Sequence, residues 1–175
     1  GEEVEVVTEY RAVEPGLNGN GLLMLGEREE EGKVLPAMVY SQGQAEWNSL
    51  WFPCHDFPNV RVRTEMVVTV EEGYQVVSNG RLVSSEAVGA GKDGKGRRRW
   101  HWAMEKDHPY YLVSLVVGKF DVVEVGGEAS GRPGLKMPVY GPVGSAAALR
   151  EVFANTGAMV AMLEGLFGEP YPWPQ

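Results

Sequence analysis

The clearest alternation in the chain runs from Val60 to Val70. Val60, Val62, Thr64, Met66, Val68 and Val70 take one side, and Arg61, Arg63 and Glu65 take the other. A period of two places successive side chains on opposite faces, so this stretch reads as a strand with one face in a core. Val4 to Val13 shows the same pattern, with Val4, Val6, Thr8, Tyr10 and Ala12 opposed to Glu5, Glu9 and Arg11, and Pro15-Gly16 ends it. It too is predicted to be a strand. Between these two, Gly19 to Gly21 reads as a turn, Leu22 to Leu25 as a short apolar strand, and Arg28 to Lys33 as a charged loop. Val34 to Tyr40 then leads into Ser41-Gln42-Gly43-Gln44. Trp47, Trp51, Phe52 and Phe57, with Pro53 and Pro58 among them, mark an irregular, well-packed passage.

Beyond Val70, Glu71-Glu72-Gly73 turns the chain. Val76-Val77 runs into Ser78-Asn79-Gly80 and a short strand from Arg81 to Val83. Asn-Gly between apolar runs predicts a hairpin, because both residues tolerate positive φ. A second hairpin is expected around Gly89 to Gly96, returning through Arg97 to Met104. Tyr111 to Val117, Lys119 to Val125 (after a break at Gly118) and Leu135 to Tyr140 complete the predicted strands. The period then changes. Ser145 is a suitable N-cap, and Leu149, Val152, Phe153, Thr156, Val160, Leu163 and Phe167 recur at spacings of three and four, with Gly168 and Pro170 as stop signals. The expectation is a mainly β, antiparallel unit over residues 1–141, followed by one helix within 142–175 that belongs to a different unit.

Composition narrows the function classes. With Gly at 23 and Pro at 11 in 175 residues, the chain suits short strands joined by turns. A formal charge of −8 argues against a nucleic-acid surface, which needs clustered Lys and Arg. The one basic cluster, Lys92, Lys95 and Arg97 to Arg99, falls at a predicted hairpin tip. The single cysteine, Cys54, excludes an internal disulfide, and no apolar run reaches the length of a membrane span.

Chemistry is sparse. A helical zinc site of the H-E-x-x-H kind needs two imidazoles one turn apart, and His55, His101 and His108 sit in no such spacing. Cys54-His55-Asp56 is a possible soft cluster. The plainer reading has Asp56 capping a turn before Pro58 and Cys54 as a small apolar group. There is no G-x-S-x-G elbow, and Gly89-Ala90-Gly91 lacks the strand and helix that a phosphate cradle requires. No catalytic residue and no metal site are expected in this chain.

Several stretches, taken in order, resemble the aminopeptidase N-like zinc metallopeptidases, peptidase family M1. Ser41-Gln42-Gly43-Gln44-Ala45-Glu46, continuing to Trp51-Phe52-Pro53-Cys54-His55-Asp56-Phe57-Pro58, resembles that family's T/S-Q-x-E/Q segment and its F-P-C-x-D-x-P. Gly73 to Gly80 is similar to its strand and S-N-G hairpin, and Tyr110 to Phe120 to its Y-L-x-A-x-x-x-G-x-F strand pair. Met137 to Gly141 and Phe167 to Trp173 resemble the entry into the catalytic domain and the F-G-x-x-Y-P after that domain's first helix. The Arg often found before F-P-C is absent, with Asn48 and Ser49 in its region.

The resemblance implies antiparallel sandwich or saddle-like sheets and a non-catalytic N-terminal domain. Its partners would be its own catalytic domain and the N-terminus of a peptide, with no nucleic acid and no membrane span involved. The family's G-x-M-E-N and H-E-x-x-H motifs do not occur here, so zinc would belong to the parent enzyme and not to these residues. One residue carries over into a binding role. Gln44 matches the position that lends a side chain to the substrate's free α-amine, an ammonium with three donors and no acceptor. Against this stands the alternative that Gln42 and Gln44 merely hydrogen-bond backbone in an irregular loop. At the level of the whole chain the alternatives are a domain of a non-catalytic aminopeptidase-like scaffold and a stand-alone β-sandwich binding module.

Overall fold

The computed structural model describes residues 3–13, 15–127 and 134–173. Twelve strands and two helices are formed among them. A five-stranded antiparallel sheet has the order β1-β2-β5-β10-β7, built from β1 (Gly16–Leu17), β2 (Asn20–Leu25), β5 (Met38–Gln42), β10 (Leu115–Gly118) and β7 (Gln75–Ser78). A three-stranded antiparallel sheet has the order β6-β9-β8, from β6 (Arg61–Glu71), β9 (Gly96–Pro109) and β8 (Arg81–Ala90). The core lies between these sheets. Val76, Leu115 and Val117 from the first meet Trp102 from the second, and Met66, Val68, Val70 and Trp100 pack around them. Trp102 is 2% exposed, and its indole Nε1 donates to the Val76 carbonyl at 3.1 Å, so the largest core side chain also satisfies its one polar atom.

The long alternation around Val60–Val70 forms β6 as expected, with Val62, Thr64, Met66, Val68 and Val70 turned inward. The hairpin between β8 and β9 also forms, closing at Gly91–Lys95. Other expectations are corrected. Val4 to Val13 forms no strand, and Val4, Val6, Val7, Tyr10 and Val13 are exposed. Alternation supplies the faces of a strand but not a hydrogen-bonding partner, and no described strand pairs with this segment. Arg28 to Lys33 is not a loop. β3 (Arg28–Glu30) and β4 (Lys33–Leu35) pair around Glu31 and Gly32, whose φ values of 51° and 74° give the doubly left-handed turn that tight hairpins prefer.

The predicted Ser78-Asn79-Gly80 hairpin is also overturned. β7 pairs with β10 and β8 pairs with β9, so Asn79-Gly80 carries the chain from one sheet to the other. Tyr111 to Val117 begins as a 3-10 turn, Tyr110–Leu112, before β10 starts. β11 (Phe120–Glu124) and β12 (Pro138–Pro142) form a separate two-stranded sheet. The C-terminal helical segment occurs as α1 (Ala146–Val152) and α2 (Thr156–Phe167), interrupted around Phe153–Asn155. Ser145 occupies the N-cap, but its hydroxyl donates to the Pro142 carbonyl, and the first amides are taken instead by Asp121 Oδ2, from Gly144 and Ala146 at 2.9 Å each. Gly168 ends α2 in the left-handed conformation at φ 71°. No helix among the described residues is long and apolar enough to cross a membrane.

Candidate functional site

β5 ends at Gln42, and the next residues turn sharply through Gly43, Gln44 and Ala45, with a cis peptide between Gln44 and Ala45. Gly43 is buried, while Gln42 and Gln44 are exposed. Neither glutamine side chain hydrogen-bonds to another described residue. The polar group fixing this region is Asn48, which is completely buried at the start of a 3-10 turn, Asn48–Leu50. Its Nδ2 donates to the Tyr110 carbonyl at 2.5 Å and to the Val113 carbonyl at 3.0 Å, and its Oδ1 accepts from Trp51 Nε1 at 2.8 Å. Gly43 lies directly on that amide. A methyl group there would come within 2.5 Å of Nδ2 and 2.6 Å of Oδ1. The Gly43 carbonyl accepts from the Trp47 amide at 3.0 Å, closing the turn that carries Gln44.

The far side of the same clamp is the Tyr110–Leu115 segment, where the chain crosses between the sheets. The Ser41 hydroxyl oxygen accepts the Leu115 amide at 2.9 Å, one step beyond the Tyr40–Val116 pairing of β5 with β10. Asn79 donates to the Leu112 carbonyl at 2.8 Å, and the Ser78 hydroxyl donates to the Ser114 carbonyl at 2.8 Å. Side chains from three separate stretches therefore satisfy a short crossover that has little ladder of its own. Sequence reasoning singled out Gln44 as a candidate and gave no sign of these supports. Asn48 sits 62 and 65 residues from the carbonyls it binds, and no local pattern announces a bond of that range.

The groups considered for metal or thiol chemistry do not converge. His55 is exposed against the Phe57 ring at 5.0 Å. His101 Nε2 lies 3.0 Å from Glu65 Oε2 on the outer face of the three-stranded sheet. His108 is buried, and its Nδ1 lies 2.9 Å from the Lys106 carbonyl. A carbonyl only accepts, so Nδ1 donates there, and Nε2 lies 3.3 Å from Thr64 Oγ1. Asp56 serves a different turn from the expected one before Pro58: its Oδ2 accepts the Ser49 amide at 2.8 Å in the 3-10 turn Asn48–Leu50. Burial, and then the Asp56 charge, push the Cys54 thiol up to about 11, the opposite of an activated nucleophile. Among the described residues no three His, Cys, Asp or Glu side chains are grouped to hold a metal ion, so this donor set does not fit zinc. A cavity of about 630 Å³ lies elsewhere, between the end of β7, His108 and the inner side of α2, with mostly apolar walls that do not include Gln44.

The Peptidase M1 N-terminal domain family profile matches residues 25–112, which span β3 to the Tyr110–Leu112 turn and contain both Gln44 and Asn48. The chain belongs to peptidase family M1. Human aminopeptidase B is 30% identical over 125 residues, covering 71% of this chain and 17% of that protein. Rat aminopeptidase B is 31% identical over 108 residues, covering 62% of this chain and 15% of that protein. Mouse aminopeptidase RNPEPL1 is 32% identical over 88 residues, covering 50% and 11%. The chain thus spans less than a fifth of the length of these curated relatives. Aminopeptidases of family M1 are generally zinc enzymes, and the antiparallel sheets described above match the expected N-terminal β domain of such a protein.

Proposed function

We propose that residues 1–141 are the later part of the N-terminal β domain of a zinc aminopeptidase, and that 142–175 open its catalytic domain. The intact enzyme removes N-terminal residues from peptides. This chain by itself performs no hydrolysis and binds no zinc; the metal belongs to the parent enzyme. In the intact protein Gln44 offers its amide oxygen to the free α-amine of the substrate.

The observation that supports the amine role is the state of Gln44 itself. It is exposed on a turn whose backbone is tied to a fully buried Asn48, and its own side chain has no hydrogen-bond partner among the described residues. If Gln44 served only the loop, its amide would be expected to bond nearby backbone, and it does not. The domain boundary is supported by α1 and α2, where Val152, Met159, Met162, Leu166 and Phe167 are each more than half exposed. A helix apolar on most sides is one that a larger fold covers.

The test is Gln44→Ala in the intact enzyme with aminoacyl reporter substrates. One charge-assisted hydrogen bond corresponds to about 1.5–3 kcal/mol, so KM for a free-amine substrate rises by about one to two orders of magnitude. Unchanged KM and kcat would reduce Gln44 to a loop residue. Metal analysis of the 175-residue chain is the companion measurement, and stoichiometric tight zinc in it would overturn the division of labour.

A further inference from the structure

We infer that Asn48 is the positioning residue of the Gln42–Ala45 turn, and that it fixes the backbone position from which Gln44 reaches a substrate. The inference rests on the amine-anchoring reading of Gln44. The backbone of the turn fixes the point from which the exposed Gln44 side chain extends, while the side chain's own torsions stay free to meet a substrate. That backbone is held from beneath. Gly43, immediately before Gln44, is seated on the Asn48 amide so closely that even a methyl group would meet it at 2.5–2.7 Å. Asn48 in turn cannot shift, because all three of its polar functions are committed: two N–H donors to the Tyr110 and Val113 carbonyls and Oδ1 to the Trp51 indole.

The residue type follows from this geometry. The pocket presents two carbonyl acceptors on one side and an indole donor on the other, and only a side-chain amide offers two donors and an acceptor in one plane. Aspartate would turn an oxygen toward two carbonyls. Alanine would leave the Tyr110 and Val113 carbonyls without that donor and a void beneath Gly43. Gly43 answers the same constraint from the other side, since any Cβ would displace the amide. The functional consequence is preorganisation. A turn seated on a side chain that is bonded to the crossover loses little further backbone freedom when an ammonium binds, so more of the hydrogen-bond energy is available to the complex.

A double-mutant cycle in the intact enzyme separates positioning from general stability. Gln44→Ala, Asn48→Ala and the double variant are compared by KM and kcat on a free-amine reporter, with a thermal melt of each. Acting through Gln44, Asn48→Ala raises KM by about tenfold in the wild-type background and by less than about twofold in the Gln44→Ala background. Effects that multiply in full would overturn the inference and leave Asn48 a purely structural residue. A Gln44→Ala variant with normal KM would instead sink the amine-anchoring reading on which this one stands. Should Asn48→Ala not fold, Trp51→Phe makes the same comparison, because it removes the indole donor to Oδ1 while keeping an aromatic ring against Phe52 and the core, and its thermal melt reads the lost packing separately. Its KM increase must likewise vanish when Gln44 is absent, and persistence of that increase counts against the inference.

Discussion

Asn79 Oδ1 accepts the Ser114 backbone amide at 2.6 Å, joining the end of β7 to the residue that precedes β10. The same side chain donates to the Leu112 carbonyl at 2.8 Å, so one amide satisfies two backbone groups of the crossover that leads from β9 to β10. Asn79→Ala removes both bonds and is expected to cost about 2 kcal/mol, a fall in melting temperature of about 4–8 °C. Asn79→Asp keeps the acceptor for Ser114 and should lose less. Equal losses in the two melts would show that the Ser114 bond contributes nothing.

Gly80 is required for two reasons at once. Its φ is 83°, and a Cβ would overlap the Ala103 carbonyl oxygen of β9. Gly80→Ala combines left-handed strain with a backbone clash and should cost about 3 kcal/mol or more. Gly73→Ala is the comparison, because Gly73 has a similar φ of 95° but open space around it. The melt of Gly80→Ala should therefore fall further than that of Gly73→Ala.

Asp121 on β11 anchors the start of α1 by accepting the Gly144 and Ala146 amides. Asp121→Ala leaves those donors to solvent and should weaken the junction by about 1 kcal/mol. Amide hydrogen exchange reads this directly: protection at Gly144 and Ala146 falls, while protection in β6 and β9 stays. A uniform loss across both regions would show that Asp121 acts on the whole fold.

The Cys54 thiol, at about 11 against an ordinary 9.0, should alkylate about tenfold more slowly than a free thiol near pH 8, because the smaller thiolate fraction is only partly offset by a more nucleophilic thiolate. The sign for stability follows. A thiol raised in the folded state keeps its stabilising contribution below pH 9.0 and loses it as pH climbs from there to about 11. Asp56→Asn removes the second cause and should speed alkylation modestly. An iodoacetamide rate equal to that of a small-molecule thiol would contradict the shift.

How much could be read beforehand depended on how local the signal was. β6 was legible because its alternation runs uninterrupted over a whole strand, and a period of two has one structural meaning at that length. The β8–β9 hairpin was legible because Gly91 to Lys95 carries its own turn chemistry. Asn79-Gly80 carried the same kind of signal and led to the wrong partner. A turn dipeptide states that the chain bends, but β7 and β8 were assigned to their sheets by β10 and β9, tens of residues away. Val4 to Val13 had strand faces and no edge to join. Arg28 to Lys33 hid a hairpin because Glu31, a residue without turn preference, adopts φ 51° there.

The sequence alone determined the class of the domain and the family, because each is written in residue types at short separations. Only the tertiary structure decided that Asn48 bonds the Tyr110 and Val113 carbonyls, that Asn79 joins the two crossovers between the sheets and that Asp121 receives the first helical amides. Those are bonds between a side chain and backbone far along the chain. Their donors and acceptors become neighbours only when burial of Trp102, Val76, Leu115 and Val117 has brought the sheets together.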